Sequence, residues 1–164
     1  TPSISSAASD VYKRQGEGYE NWAKAIKEVE DIGVKVLVEN TAGGKNSVAR
    51  YMDSIERLWE VIGHLNVGLC LDTCHTWAGG IPTIDAVKGF KKLVKKIDLI
   101  HFNDSKDGFE SSRDRHENLG KGKIPKEELE YVIKNAKTDI IVETPNGPDA
   151  QKKDIAWIRR RLKK

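Results

Sequence analysis

Four short apolar runs, VKVLVEN from Val34, VGLCLDT from Val67, DLIHFND from Asp98 and TDIIVET from Thr138, recur at the interval of a βα unit. Each is nearly unbroken in Val, Leu and Ile instead of alternating with polar residues. That pattern predicts strands buried on both faces, as in a parallel sheet covered by helices. Parallel neighbours need long crossovers, and the intervening segments have helical spacing. Ser47 is placed to cap a helix carrying Met52, Ile55, Leu58, Trp59 and Ile62, and Thr83 one carrying Val87, Phe90 and Val94. Pro125 sits at a first-turn position, and Pro148 precedes a last helix with Ile155, Ile158 and Leu162. The expected fold is α/β with about four βα units, half of a (β/α)8 TIM barrel, which has eight and runs to about 250 residues.

Before the first strand the chain divides. Residues 1–18 read as a leader: TPSISSAASDVYKRQ is rich in Ser and Ala and carries no apolar period, so disorder is expected there. Its end, SDVYKRQ, resembles the foreign junctions of translated environmental fragments, which implies that Thr1 is not the true start. From Tyr19 to Lys164 the pattern is regular, beginning with a helix that carries Trp22, Ile26 and Val29 and closes at Gly33.

Composition narrows the function classes. The chain has 164 residues, 32% charged and 38% hydrophobic, and no run reaches the roughly 18 apolar residues of a membrane span. With no signal-peptide core either, a cytoplasmic location is the expectation. Cys70 and Cys74 are too few for a disulfide framework, and C-x3-C is not a zinc-knuckle spacing, so both are expected as thiols. A net charge of +3 permits a nucleic-acid partner without arguing for one.

The strand ends carry the chemistry. Strand one ends in Glu39, strand two in Asp72 with His75 just beyond, strand three in His101 and strand four in Glu143. In parallel α/β folds the carboxyl ends of the strands converge on the active site, so these side chains are expected to share one volume. Carboxylates gathered there without a cation repel one another. Two Glu, one Asp and one neutral His make an oxygen and nitrogen site suited to zinc, manganese or magnesium, with the imidazole favouring zinc or manganese. SSRDRHENLG adds Asp114 and His116, which share a face if the segment is extended, while Arg115 points away. His75 can complete a set of three with them, the usual count for a catalytic zinc.

VENTAGG, GLCLDTCH, HFNDSK, DRHENLGKG and VETP, in this order, resemble the signatures of the endonuclease IV family of zinc-dependent apurinic/apyrimidinic endonucleases, the deoxyribonuclease IV enzymes. The resemblance runs from about Tyr19 to the C-terminus. It implies a TIM barrel of the xylose-isomerase-like superfamily, usually monomeric, with three zinc ions, cleaving abasic double-stranded DNA 5′ to the lesion in base-excision repair. Carried over motif by motif, it implies that Glu39 bridges the first and second zinc. Asp72, His101 and Glu143 complete the second, and His75, Asp114 and His116 hold the third. Glu39 and Glu143 are then the residues nearest the catalysis, and Arg113 and Arg115, beside the third metal, are the candidates for DNA phosphate.

In that family the first zinc also takes two histidines from the other half of the barrel. This chain has four histidines, and the fourth, His64, lies at a helix end. The chain is therefore expected to match the C-terminal half, to bind two zinc ions at most and to be weakly active or inactive alone. Three zinc ions against four ligand carboxylates leave about +2 to stabilise the transition state, and two leave about zero. Two open sheet edges favour self-association. AGGKNS lacks the glycine spacing of a phosphate loop, and the lysines of VKGFKKLVKK read as a solvated helix face. Asn103 and Asp104 are candidates for orienting the ligands. Two other readings remain: a sugar isomerase or epimerase with the same Glu, Asp, His, Glu set, for which His75, Asp114 and His116 have no use, and an inert zinc-binding fragment.

Overall fold

The computed structural model describes residues 6–44 and 47–163, with only the backbone for residues 6–15 and Glu30. It opens with α1 (Ser6–Glu28), followed by a 3-10 turn (Glu30–Ile32) and β1 (Val36–Glu39). Next come α2 (Met52–Ile62), β2 (Val67–Asp72), α3 (Thr73–Gly79) and α4 (Thr83–Leu93). The rest is β3 (Leu99–His101), β4 (Asp104–Ser105), β5 (His116–Glu117), α5 (Lys126–Asn135), β6 (Asp139–Ile141) and α6 (Gly147–Leu162). Strands β1, β2, β3 and β6 form one parallel sheet in that order, and β4 pairs antiparallel with β5.

The four apolar runs thus become neighbouring strands, as a partial TIM barrel requires. β2 is the best-buried strand: Leu69 and Leu71 pack in the helix-covered core, while Cys70 and Asp72 fall on the alternate face. Each crossover helix turns one apolar stripe to the sheet: Ile55, Leu58 and Ile62 from α2, Val87 and Phe90 from α4, Leu129, Val132 and Ile133 from α5, Trp157 and Ile158 from α6. Phe90 is fully buried, and its truncation to Ala would cost about 3–5 kcal/mol. Gly68 is needed for closeness: a Cβ there would lie 2.3 Å from Asp98 Oδ2, the oxygen that accepts the Leu69 N–H. β1 and β6 are the outer strands, and Ile141 on β6 is 47% exposed.

Several sequence expectations change. The leader reads as unstructured, yet α1 runs from Ser6, so residues 6–18 are helical and only residues 1–5 of it lie outside the described residues. A Ser- and Ala-rich stretch has no apolar period, but alanine is a strong helix former, and a helix nucleated elsewhere propagates through it. The anchor is the second half of α1, where Tyr19 and Ile26 pack with Val38, Leu58 and Ile62. Ser47 does not cap α2: its hydroxyl bonds that of Thr41, the helix starts at Met52, and Ser54 Oγ accepts the Tyr51 N–H at 3.1 Å. In AGGKNS, Lys45 and Asn46 lie outside the described residues. Among the described residues, no helix is long and apolar enough to cross a membrane.

Candidate metal centre

β1 ends at Glu39, β2 at Asp72 and β3 at His101, and Glu143 follows β6 by two residues, so the parallel register brings all four to one end of the sheet. His101 Nδ1 lies 3.3 Å from Glu39 Oε1 and 3.2 Å from Glu143 Oε2. Asp72, His101 and Glu143 place donor atoms within 4.8 Å of one another.

Asp72 has two tasks. It is the N-cap of α3, with Oδ1 accepting the His75 N–H at 2.7 Å. This is why a carboxylate stands three residues before the histidine: an N-cap side chain reaches the third residue of its helix, and the helix then aims His75 back over the site. The other oxygen, Oδ2, accepts from Asn103 Nδ2 at 2.7 Å and lies 3.7 Å from His116 Nε2.

The second half of the centre comes from the segment between β3 and α5. β4 and β5 pair, placing Ser105 opposite His116. The loop between them is tied down by Glu110 N–H to Trp77 O, Ser112 N–H to Ala78 O, and the buried Arg50, which donates to Gly79 O and to Ser112 Oγ. Asp114 is thereby held with Oδ2 3.1 Å from His75 Nε2 and Oδ1 3.2 Å from His116 Nε2. The ring orientations are fixed from behind. His75 Nδ1 lies 2.8 Å from Asn40 O and 3.1 Å from Glu39 Oε1, and His116 Nδ1 lies 3.3 Å from Glu143 O, so in both rings Nε2 faces Asp114.

His75 Nε2, His101 Nδ1 and His116 Nε2 are buried without a hydrogen-bond partner, although each has a carboxylate oxygen 3.1 to 3.3 Å away. Nitrogen and oxygen donors on one tetrahedral ion, at bond lengths of about 2.0–2.1 Å, are themselves about 3.3 Å apart. The donor set therefore fits zinc, as ligands spaced around a cation instead of donating to each other.

Without a cation, the carboxylates use the imidazoles. Burial works against the charged form of His75, but Glu39, Asp72 and Asp114 around it win, raising it from 6.5 to about 10. Burial raises Glu39 too, yet His75 and His101 leave it below its ordinary 4.5. For the fully buried Asp72, burial outweighs the imidazoles of His75 and His116 and raises its carboxyl. Burial also pushes the Cys70 and Cys74 thiols up to about 12.

All seven ligand candidates from the sequence are brought together. The two arginines differ: Arg115 is locked to Asp107 by Nε at 2.6 Å and by a second, shorter contact, while Arg113 only approaches Asp107 at 3.8 Å and stays exposed. His64 is exposed and apart from the site. Sequence reasoning did not find Asn40. Its amide pairs with both Asp72 N–H (2.8 Å) and Asp72 O (3.1 Å), continuing the ladder past the end of β1. Its position directly after the ligand Glu39 was the available signal.

Comparison with known proteins agrees with the fold. The sequence matches the family described as xylose isomerase-like TIM barrel over residues 6–161. A protein named probable endonuclease 4 from Mycobacterium ulcerans is 45% identical over 146 residues, 89% of this chain and 57% of the relative. One of the same name from Mycobacterium bovis is 47% identical over 145 residues, 88% of this chain and 56% of the relative. The chain thus spans little more than half of these relatives. The crystal structure of endonuclease IV from Thermus thermophilus superposes with a TM-score of 0.70 at 30% identity, covering 85% of this chain and 55% of that one. A D-tagatose 3-epimerase-like protein gives 0.68 at 20% identity, covering 98% of this chain and 59% of that one, which speaks for the fold alone. By its sequence match and its parallel sheet, this chain belongs to the xylose isomerase-like TIM barrel family.

Proposed function

We propose that the chain carries the larger part of a zinc centre that hydrolyses the phosphodiester 5′ to abasic sites in DNA. The observation that supports it is the pair of adjoining donor sets, one around Glu39, Asp72, His101 and Glu143 and one around His75, Asp114 and His116, in a chain similar to proteins named endonuclease 4. A sugar isomerase would have use for the first set only.

Zinc bound there supplies positive charge for the phosphoryl oxygens and lowers the pKa of water. The residues of the chain do the rest. Asp72 and Glu143 are held together by Asn103, so their positions are set before substrate arrives. Glu39, Glu143 and Asp114 are partly exposed and line the open end of the site, where a phosphodiester must enter. Arg113, more weakly engaged than Arg115, is the cation available to a DNA phosphate. Of the three family ion positions the first receives only Glu39 among the described residues, so turnover by this chain is slow.

The test is incision of a duplex carrying one abasic site by the zinc-loaded chain. Slow cleavage on the 5′ side that a chelator abolishes and Glu143→Gln removes is the expected result. Cleavage that survives Glu143→Gln refutes the role of that carboxylate. No cleavage with two zinc ions bound refutes the catalytic reading and leaves a zinc-binding segment.

A further inference from the structure

A thiol lies against the outer donor set, and the proposed function gives it no task. Cys74 is fully buried at the start of α3, and its sulfur shares a hydrogen bond with the Ser105 side chain. Its sulfur, an Asp114 oxygen and a His116 nitrogen all lie within 4.8 Å of one another. Cys70 stands in the same relation to Glu39 and His101. The two positions differ in what else surrounds them. Around His101, three carboxylates, Glu39, Asp72 and Glu143, already bring the donors to four, so a sulfur is not needed to close a tetrahedral shell. Around His116, His75 and Asp114 join it, while Asp72, already counted around His101, lies farther off at 3.7 Å, which leaves a coordination place that a sulfur can take.

We infer that Cys74, Asp114 and His116 form a capture site for a thiophilic divalent cation such as cadmium. A hard or borderline ion is served by the oxygens and imidazoles, whereas a soft ion gains most from sulfur. The ion takes the place of the thiol proton: an S–Cd bond forms, the S–H bond breaks and one proton passes to solvent. A centre closed by a thiolate in this way has lost its open position, so the site that admits zinc for catalysis is also where a soft metal poisons it. The inference rests on reading His75, Asp114 and His116 as an ion position.

Cadmium titrated into the metal-free chain tests it, with sulfur-to-metal charge-transfer absorption as the readout. One equivalent of absorbing ion is expected, lost in Cys74→Ser and kept in Cys70→Ser, with zinc content the same in all three proteins. A band that persists in Cys74→Ser, or cadmium bound without a band, overturns the inference while leaving the zinc centre standing. If neither zinc nor cadmium binds the wild-type chain, the proposed function falls as well. Should Cys74→Ser not fold, the cadmium-113 resonance of the wild-type chain decides, because sulfur ligation moves it far from the range of oxygen and nitrogen sites.

Discussion

Asn103 Nδ2 donates to Asp72 Oδ2 at 2.7 Å and lies 3.4 Å from Glu143 Oε2, while its Oδ1 accepts the Glu143 N–H at 2.8 Å. One buried amide therefore bridges two carboxylates, one ending β2 and one just beyond β6, that would otherwise repel. Thr73 completes the support: its hydroxyl donates to Asn103 O and accepts the Asn103 N–H. Loss of the partners that orient metal ligands typically costs 10–100-fold in affinity. Asn103→Ala is expected to weaken zinc at the Glu39 set by that factor, read by competition with a chelating dye. An unchanged affinity would show that the amide is only packing.

The two donor sets meet at Asp72 but are built on different elements, so they are separable. His116→Ala removes the Nε2 that faces Asp114 while leaving Glu39, His101 and Glu143 in place. Metal analysis of the purified variant is expected to show one zinc fewer than wild type. A full complement of zinc would place His116 outside the centre.

Much of this was legible in the sequence because it depends on short-range rules. Nearly unbroken apolar runs marked β1, β2, β3 and β6, and the carboxyl-end rule for parallel sheets then brought Glu39, Asp72, His101 and Glu143 together. The β4–β5 hairpin was not legible: two strands of two residues each carry no periodicity, and their pairing across a ten-residue loop rests on tertiary ties such as Arg50 to Ser112. The cap role of Asp72 was legible in principle, since Asp followed three residues later by a helical residue is a start signal, but chemistry drew attention away from it. Only the first turns of α1, before Tyr19, were missed, because they carry no apolar stripe; what holds the helix is the packing of Tyr19 and Ile26.

Asp104 is fully buried, and its carboxylate accepts backbone N–H groups from Ser105, Gly120, Gly122 and Ile124 at 2.8 to 3.1 Å. It folds residues 118–124 onto the end of β5, and Gly122 allows the approach, since a Cβ there would lie 2.3 Å from Asp104 Oδ1. Each donor stranded without a partner costs about 1–3 kcal/mol, partly recovered where water enters. Asp104→Ala is expected to destabilise the chain by about 3 kcal/mol or more in urea unfolding, and Gly122→Ala to do so as well. Neither touches a ligand, so a variant that folds should keep its zinc stoichiometry. A loss below about 1 kcal/mol for Asp104→Ala would mean that the loop is held by other contacts.

The metal-free chain should carry a pH signature of its own. His75 is raised from 6.5 to about 10, so the stability it contributes is full below pH 6.5 and is lost as pH rises through about 10. Glu39 is lowered from 4.5, so its contribution is present above pH 4.5 and is lost as pH falls through its depressed value. The pair therefore stabilises the chelated protein most between about pH 4.5 and 6.5, and melting temperature should decline from there toward pH 10. Zinc reverses the upper limb, because ligation needs neutral His75 and gains as the proton leaves. Thermal melts with and without chelator, at several pH values, are the measurement. Glu39→Gln removes one of the three carboxylates that hold the His75 proton and should flatten the metal-free decline. An equally steep decline in that variant would mean that Asp72 and Asp114 alone hold the proton, and that Glu39 is free for a cation even before one arrives.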